Sequence, residues 1–170
     1  MRHIISALVV NHYGVMARVA GLFSRRGYNI ESIAVGHSEE PELSRMIIVV
    51  EAEDEQVLEQ IEKQLYKLID VVKVNDIPTK EAVERELALI KVNAGSQSRS
   101  EIMQIVDIFR AKIVDVTSRS VMVEITGGIE KVEALIALLK PYGIREIVRT
   151  GQVAMLRTPK KEKGEKQSNI

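Results

Sequence analysis

Over the first 77 residues the apolar positions switch between two periods. Ile4 to Val10 is an almost continuous apolar run rich in β-branched residues, which predicts a nearly buried strand over residues 3–10. After the polar turn Asn11-His12-Tyr13-Gly14, Val15, Val19, Leu22 and Phe23 recur at helical spacing, and Gly27 supplies a stop. A second strand fits residues 29–36, the acidic Ser38-Glu39-Glu40-Pro41-Glu42 reads as a solvent-facing turn, and residues 45–51 predict a third strand. Asp54 is placed to cap a helix striped by Val57, Leu58, Ile61, Leu65 and Leu68, and a short fourth strand over 71–74 ends at Asn75-Asp76-Ile77-Pro78.

The same order recurs over residues 86–157. A strand over 86–93 leads to the polar loop Ala94-Gly95-Ser96-Gln97, and Ser98 with Glu101 forms a capping-box pattern ahead of Ile102, Ile105, Val106 and Phe109. Strands are expected at 113–117 and 121–126, then a helix bearing Val132, Leu135, Ile136 and Leu139, ended by Pro141 and Gly143. Residues 144–149 close the unit, with Val153 to Leu156 read as an extension of that last strand. Two βαββαβ units make an α/β (α+β) chain of two ferredoxin-like domains, each an antiparallel four-stranded sheet with two helices on one face. The apolar strand Met46-Ile47-Ile48-Val49-Val50 demands cover on its other face too, so packing between lobes or between subunits is expected. The boundaries read as 1–77, a linker or short exposed helix over 78–85, 86–157, and a charged, disordered tail over 158–170.

Composition narrows the function classes. The 170 residues are 45% apolar, enough for two small cores of about 75 residues each that are marginal alone. Charged residues make up 28% and balance to a net charge of zero, without the positive field that generic nucleic-acid or anionic-membrane binding favours. Cysteine is absent, so disulfides and thiolate chemistry are excluded. No uninterrupted apolar run approaches the ~18–20 residues of a bilayer span. The opening segment is read as a strand rather than a signal peptide, which makes a cytoplasmic location the expectation.

Catalytic signatures are missing. His3, His12 and His37 show no metal-ligand spacing, no serine sits in a GxSxG elbow, and neither GxGxxG nor GxxxxGK[ST] occurs. Glu31, Glu51 and Glu124 have neighbours that give no reason to expect a shifted pKa. The topology is shared with single-strand RNA binders, but aromatics amount to 4% and Met46 to Val50 contains none, which argues against base stacking.

One local signal remains. In Val10-Asn11-His12-Tyr13-Gly14-Val15 a polar turn joins a buried strand to a helix whose first amides lack intrahelical acceptors. A small carboxylate would be satisfied there by backbone N–H groups, Gly14 would let it approach without meeting a Cβ, and Asn11 could orient it through either face of its amide. Asn29 could reach such a ligand from the second subunit of a two-fold dimer. The structural alternative is equally open at this point: Asn11 caps the helix, Gly14 relieves the turn and Asn29 satisfies a loop.

The stretch Asn11-His12-Tyr13-Gly14-Val15-Met16-Ala17-Arg18-Val19, followed by Gly21-Leu22-Phe23-Ser24-Arg25-Arg26-Gly27-Tyr28-Asn29-Ile30-Glu31-Ser32, resembles the small, regulatory subunits of acetolactate synthase (acetohydroxyacid synthase). Further matching stretches are Leu43 to Met46, Gln60 to Val71, Arg85 to Val92, Phe109 to Val116 and Ile129 to Lys131, so the resemblance spans about residues 1–157. It implies an N-terminal ACT domain and a related C-terminal domain, and a homodimer through the ACT domains with valine, or leucine or isoleucine, bound at the interface. It also implies a large catalytic partner subunit, activated by association and feedback-limited by valine, in branched-chain amino-acid synthesis. Thiamine diphosphate, Mg2+ and FAD belong by this resemblance to the catalytic partner, and this chain binds none. Asn11 and Gly14 match effector-loop residues and Asn29 the residue approaching across the dimer; the Val15 amide, with Ile30 and Ile33 as side-chain neighbours, completes the expected site. A freestanding amino-acid sensor of the same domain type is the principal alternative.

Overall fold

The computed structural model describes residues 1–52 and 55–158. Its elements are β1 (Arg2–Val10), α1 (Val15–Arg25), β2 (Ile30–His37), β3 (Leu43–Glu51), α2 (Glu55–Leu65) and β4 (Val71–Asp76) in the N-terminal lobe. The C-terminal lobe holds β5 (Ala82–Asn93), α3 (Arg99–Ile108), β6 (Lys112–Val116), β7 (Ser120–Gly127), α4 (Ile129–Leu139), β8 (Ile144–Arg149) and β9 (Val153–Leu156). The expected Asp54 cap and most of the expected tail fall outside the described residues.

Both lobes are split βαββαβ units. The first sheet runs β2-β3-β1-β4 and the second β6-β7-β5-β8, all neighbours antiparallel. Period-two alternation puts Ile5, Ala7 and Val9 of β1 and Met46, Ile48 and Val50 of β3 on one face, where α1 and α2 cover them with Val19, Phe23, Ile61 and Leu65. The second lobe repeats this with Ala88, Ile90 and Val92 of β5 against Ile102, Val106, Val132, Leu135 and Leu139 of α3 and α4. At the β4 edge the Tyr66 hydroxyl accepts a hydrogen bond from the Val74 amide at 3.1 Å and donates to the Val74 carbonyl at 3.0 Å, blunting an otherwise open strand.

The structure differs from the sequence reading between the lobes. Residues 82–85, expected in a linker, are the first turn-free stretch of a continuous twelve-residue β5, preceded by a single 3-10 turn at Thr79–Glu81. Val153 to Leu156 carries on in the direction of β8, as expected: after a break at Gly151, whose φ of +78° suits glycine, β9 runs antiparallel to the start of β5 in the register Ala82↔Leu156 and Arg85↔Val153, one residue out of step with the β5–β8 ladder. This two-stranded ribbon lies on the outer face of the first sheet, where Ala82 and Ala154 meet Ile4, Ile47, Val49 and Ile77. The cover demanded by the apolar β3 is thus supplied from within the chain. The charged run Ala82-Val83-Glu84-Arg85 becomes strand because a partner about 70 residues away in sequence completes its ladder, a non-local gain that local propensity does not report.

A buried ion pair fixes the far side of the same junction. Glu86, 4% exposed, receives hydrogen bonds from Arg149 Nε at 3.3 Å and from Arg149 Nη2, while Arg149 Nη1 reaches Glu133 on α4 at 2.6 Å. The hydrogen bond to Glu86 holds the Arg149 guanidinium above its ordinary pKa against the opposing effect of burial. Arg149→Met would leave the Glu86 carboxylate desolvated and unpaired. We expect a loss of about 3 kcal/mol in urea denaturation, the low end for buried pairs because Arg149 keeps a third of its surface in water; the double variant Glu86→Leu/Arg149→Met should recover most of it. Glu62 gives a pH signature of opposite sign to a paired acid. Burial first, then the nearby Asp76 charge, raise its pKa above 4.5, so its folded form holds the proton more tightly than the unfolded chain. The resulting stabilisation is present below the unfolded carboxylate pKa and disappears as pH rises through the folded one. Glu62→Gln is accordingly expected to raise Tm at pH 7 and to lose part of the wild-type gain on acidification toward pH 4.5, checked by melting curves across that range.

Candidate functional site at the first strand-to-helix junction

The loop after β1 is tied to strands on both sides. The Val10 amide donates to the Asp70 carbonyl and the Asn11 amide to the Glu42 carbonyl, each at 2.8 Å. Gly14 occupies the N-cap of α1 with φ of +83°, in the left-handed region, and no side chain caps the helix. The Val15 amide stands 3.5 Å from the His12 carbonyl, and the amides of Gly14, Met16 and Ala17 have no acceptor among the described residues. No acidic residue occupies the first turn of α1, so the positive end of the helix is not neutralised locally. Chemically this is a set of backbone donors around a residue without a side chain, exposed to solvent.

Side chains shape the approach. Asn11 is exposed, and its Nδ2 lies 3.5 Å from Nδ1 of His37 at the end of β2. It therefore does not cap α1, which removes the structural alternative weighed for it. His12 and Tyr13 stack at 4.0 Å, with His12 Nδ1 2.9 Å from the Tyr13 carbonyl oxygen. Arg18, one turn into α1, pairs with Asp70 at 2.6 Å and folds back over the glycine, so that a Cβ at Gly14 would sit 3.1 Å from Arg18 Nη1. The sequence reading did not single out Arg18 or Asp70, and it weighed His37 only as a metal ligand. Only the i, i+4 offset of Arg18 from Gly14 carried a signal for any of them.

The remaining predicted residues lie elsewhere. Val15 is 3% exposed, so its side chain belongs to the core and only its amide faces the loop. Asn29 is exposed at the start of β2, beside a recess of about 440 Å³ lined by Arg26, Tyr28, Glu51 and Val57. Since β1 and β2 both pair antiparallel with β3, they run in the same direction. Asn11 follows the end of β1 and Asn29 precedes the start of β2, so within one chain they are about 25 Å apart, the length of eight strand residues. Ile30 and Ile33 are half-buried against the helix-side core of the first lobe. A single chain thus brings Asn11, Gly14 and the Val15 amide together and leaves Asn29 at the opposite end of the sheet.

Among the described residues no group of three or more His, Asp or Glu side chains is arranged to hold a metal ion, and no helix is long and apolar enough to cross a membrane. His12 and His37 flank the loop, whereas His3 lies at the other end of β1.

Two family models match the chain. Residues 5–73 match the AHAS small subunit-like ACT domain, and residues 85–158 match the small subunit of acetolactate synthase. The chain is 55% identical over 161 residues to a probable acetolactate synthase small subunit of Archaeoglobus fulgidus, covering 95% of this chain and 100% of that one. It is 54% identical over 157 residues to the acetolactate synthase small subunit of Bacillus subtilis, covering 92% and 91%. The crystal structure of the acetolactate synthase small subunit from Thermotoga maritima superposes with a TM-score of 0.87 at 52% identity, covering 94% of this chain and 99% of that one. With both lobes matched in order and nearly the full length shared, this chain belongs to the acetolactate synthase small-subunit family, whose members are non-catalytic regulatory subunits.

Proposed function

We propose that this chain acts in the cytoplasm as the regulatory subunit of a thiamine-diphosphate-dependent acetolactate synthase, raising the activity of the catalytic subunit and relaying feedback inhibition by valine, with leucine and isoleucine as related effectors. The observation that carries this reading is the β1–α1 loop, where three amides around a left-handed glycine have no acceptor among the described residues. It occurs in a chain that matches small subunits along nearly its whole length.

In this reading the effector carboxylate meets the amides beyond Gly14, with Asn11 orienting it, and the ammonium meets backbone carbonyls near β2. The separation of Asn11 from Asn29 supports a site completed by a second copy, whose Asn29 approaches from the opposite end of its own sheet. Ile30 and Ile33 at that seam would face the effector's branched side chain, whose burial is worth about 2 kcal/mol. A ligand shared by two chains favours one dimer geometry over another, and that differential affinity is the quantity a catalytic partner can sense. Thiamine diphosphate, Mg2+ and FAD are assigned to that partner.

Valine calorimetry tests the site. Gly14→Asp places a side chain and a negative charge in the approach path and strains a φ of +83°, so affinity should fall by about 100-fold, against about tenfold for Asn11→Ala, which loses one hydrogen bond. Unchanged affinity in both, with melting temperatures near wild type, would remove the loop from the mechanism. Adding the chain to an acetolactate synthase catalytic subunit should raise pyruvate condensation, and valine should reverse the gain with wild type but not with Gly14→Asp; a chain without effect on turnover would leave the freestanding-sensor reading in its place.

A further inference from the structure

Between the lobes runs a cleft of about 410 Å³, with the outer face of the first sheet on one side and α4 and the β8–β9 connection on the other. Gly151 brings the walls together: a Cβ there would meet Ser32 Cβ at 3.3 Å and the Ile33 carbonyl at 3.4 Å. Two arginines, Arg2 and Arg149, face three carboxylates, Glu31, Glu86 and Glu133. Arg149 is consumed by Glu86 and Glu133. What remains is Arg2, ion-paired with Glu31 at 3.8 Å and with Glu84 at 3.6 Å but within hydrogen-bond distance of neither.

The unsatisfied atoms on these walls have a pattern. Nε and Nη2 of Arg2 are buried without an acceptor, while Nη1 is 3.6 Å from Glu84. Nε and Nη2 form the edge of a guanidinium that takes a carboxylate by two parallel hydrogen bonds. Gln152 is 2% exposed, and both its amide nitrogen and its amide oxygen lack a partner among the described residues. A buried carboxamide left unpaired at both ends costs free energy unless something else engages it. Arg2 offers donors, Glu31 offers an acceptor whose side chain is 38% exposed and so reachable from solvent, and Gln152 offers one of each.

We propose that this cleft is a second binding site, for a small zwitterion bearing a carboxylate and an ammonium group, distinct from the β1–α1 loop. The carboxylate takes the Nε/Nη2 edge of Arg2 and the Gln152 amide nitrogen; the ammonium takes Glu31 and the Gln152 amide oxygen. The excess negative charge of the walls disfavours a bare carboxylate, and the guanidinium edge without a hydrogen-bond acceptor disfavours a bare amine. The volume admits an α-amino acid, and the polar lining from Ser32, Thr150 and Gln152 selects one with a polar side chain. Because the ligand would touch both lobes, its occupancy bears on how they sit against each other.

The test uses the full chain in the Gly14→Asp background, which disables the loop independently. L-serine and L-glutamine are titrated by calorimetry, with propionate and propylamine as controls. At least one of the two amino acids should bind at one per chain, and the controls about tenfold or more weaker. Arg2→Gln and Gln152→Leu should each weaken binding about tenfold or more, while Gln152→Leu melts no lower than its parent because it removes an unpaired buried amide. No saturable binding of either amino acid up to about 10 mM overturns the proposal, as does binding unaltered by both substitutions. Propionate or propylamine binding as tightly as the amino acids would overturn the zwitterion assignment. Valine affinity unchanged by Gly14→Asp and Asn11→Ala, with serine or glutamine still bound here, would sink the loop reading alone.

Discussion

A sheet with helices on one face only has to do something with its other face, and in this chain that requirement organises everything else. Ile4, Ile47 and Val49 point away from α1 and α2, and water cannot be left against them at this size of core. The chain covers them with its own β5–β9 ribbon, using alanines, Ala82 and Ala154, that let the ribbon backbone come close. One strand therefore belongs to both lobes: β5 begins as a lid on the first sheet and continues as the central strand of the second. Motion of one lobe has to bend or slide that strand.

The fold within each lobe was legible because its signals are local. The offsets of three, four and seven in Val15-Val19-Leu22 and Val132-Leu135-Leu139 each report a buried face without knowledge of what buries it. The junction was not legible for the converse reason. Ala82 and Ala154 are unremarkable residues whose importance lies in each other, and no period links them. The ladder Ala82↔Leu156 is a contact between distant parts of the chain, and Glu84 and Arg85 within it lower any strand propensity that a window would detect. At the loop, Gly14 announced a special backbone and has one, whereas Asn11, open in the sequence between a cap and a ligand contact, faces His37 at the end of β2.

The loop and the cleft differ in the kind of incompleteness they show. At the loop, exposed amides are unpaired but solvated, so their readiness costs little and argues only for access. In the cleft, Gln152 and one edge of Arg2 are buried without a hydrogen-bond partner among the described residues, a state that carries a desolvation penalty throughout the life of the folded chain. An apolar side chain at 152 would avoid that penalty, and a hydrogen-bonding ligand in the cleft would offset it.

Topology then decides how such sites divide between chains. With β1 and β2 parallel and separated by β3, residues at the end of one and the start of the other are held a strand length apart, and no loop motion of a few ångströms closes about 25 Å. A ligand that needs Asn11 and Asn29 together must sit between two chains, so its binding free energy depends on dimer geometry. The lobe junction, by contrast, places Arg2 of β1 and Gln152 beside β9 on the walls of one cleft inside a single chain, through the ribbon that continues into the second sheet. Ligands at these two places would act on different degrees of freedom, one on how two first lobes meet and the other on how β5 joins first lobe to second. Since β5 runs unbroken from the seam into the core of the second lobe, a strain set at Arg2 and Gln152 has a hydrogen-bonded path to β7 and β8 that a strain set at Gly14 reaches only through the whole of the first sheet.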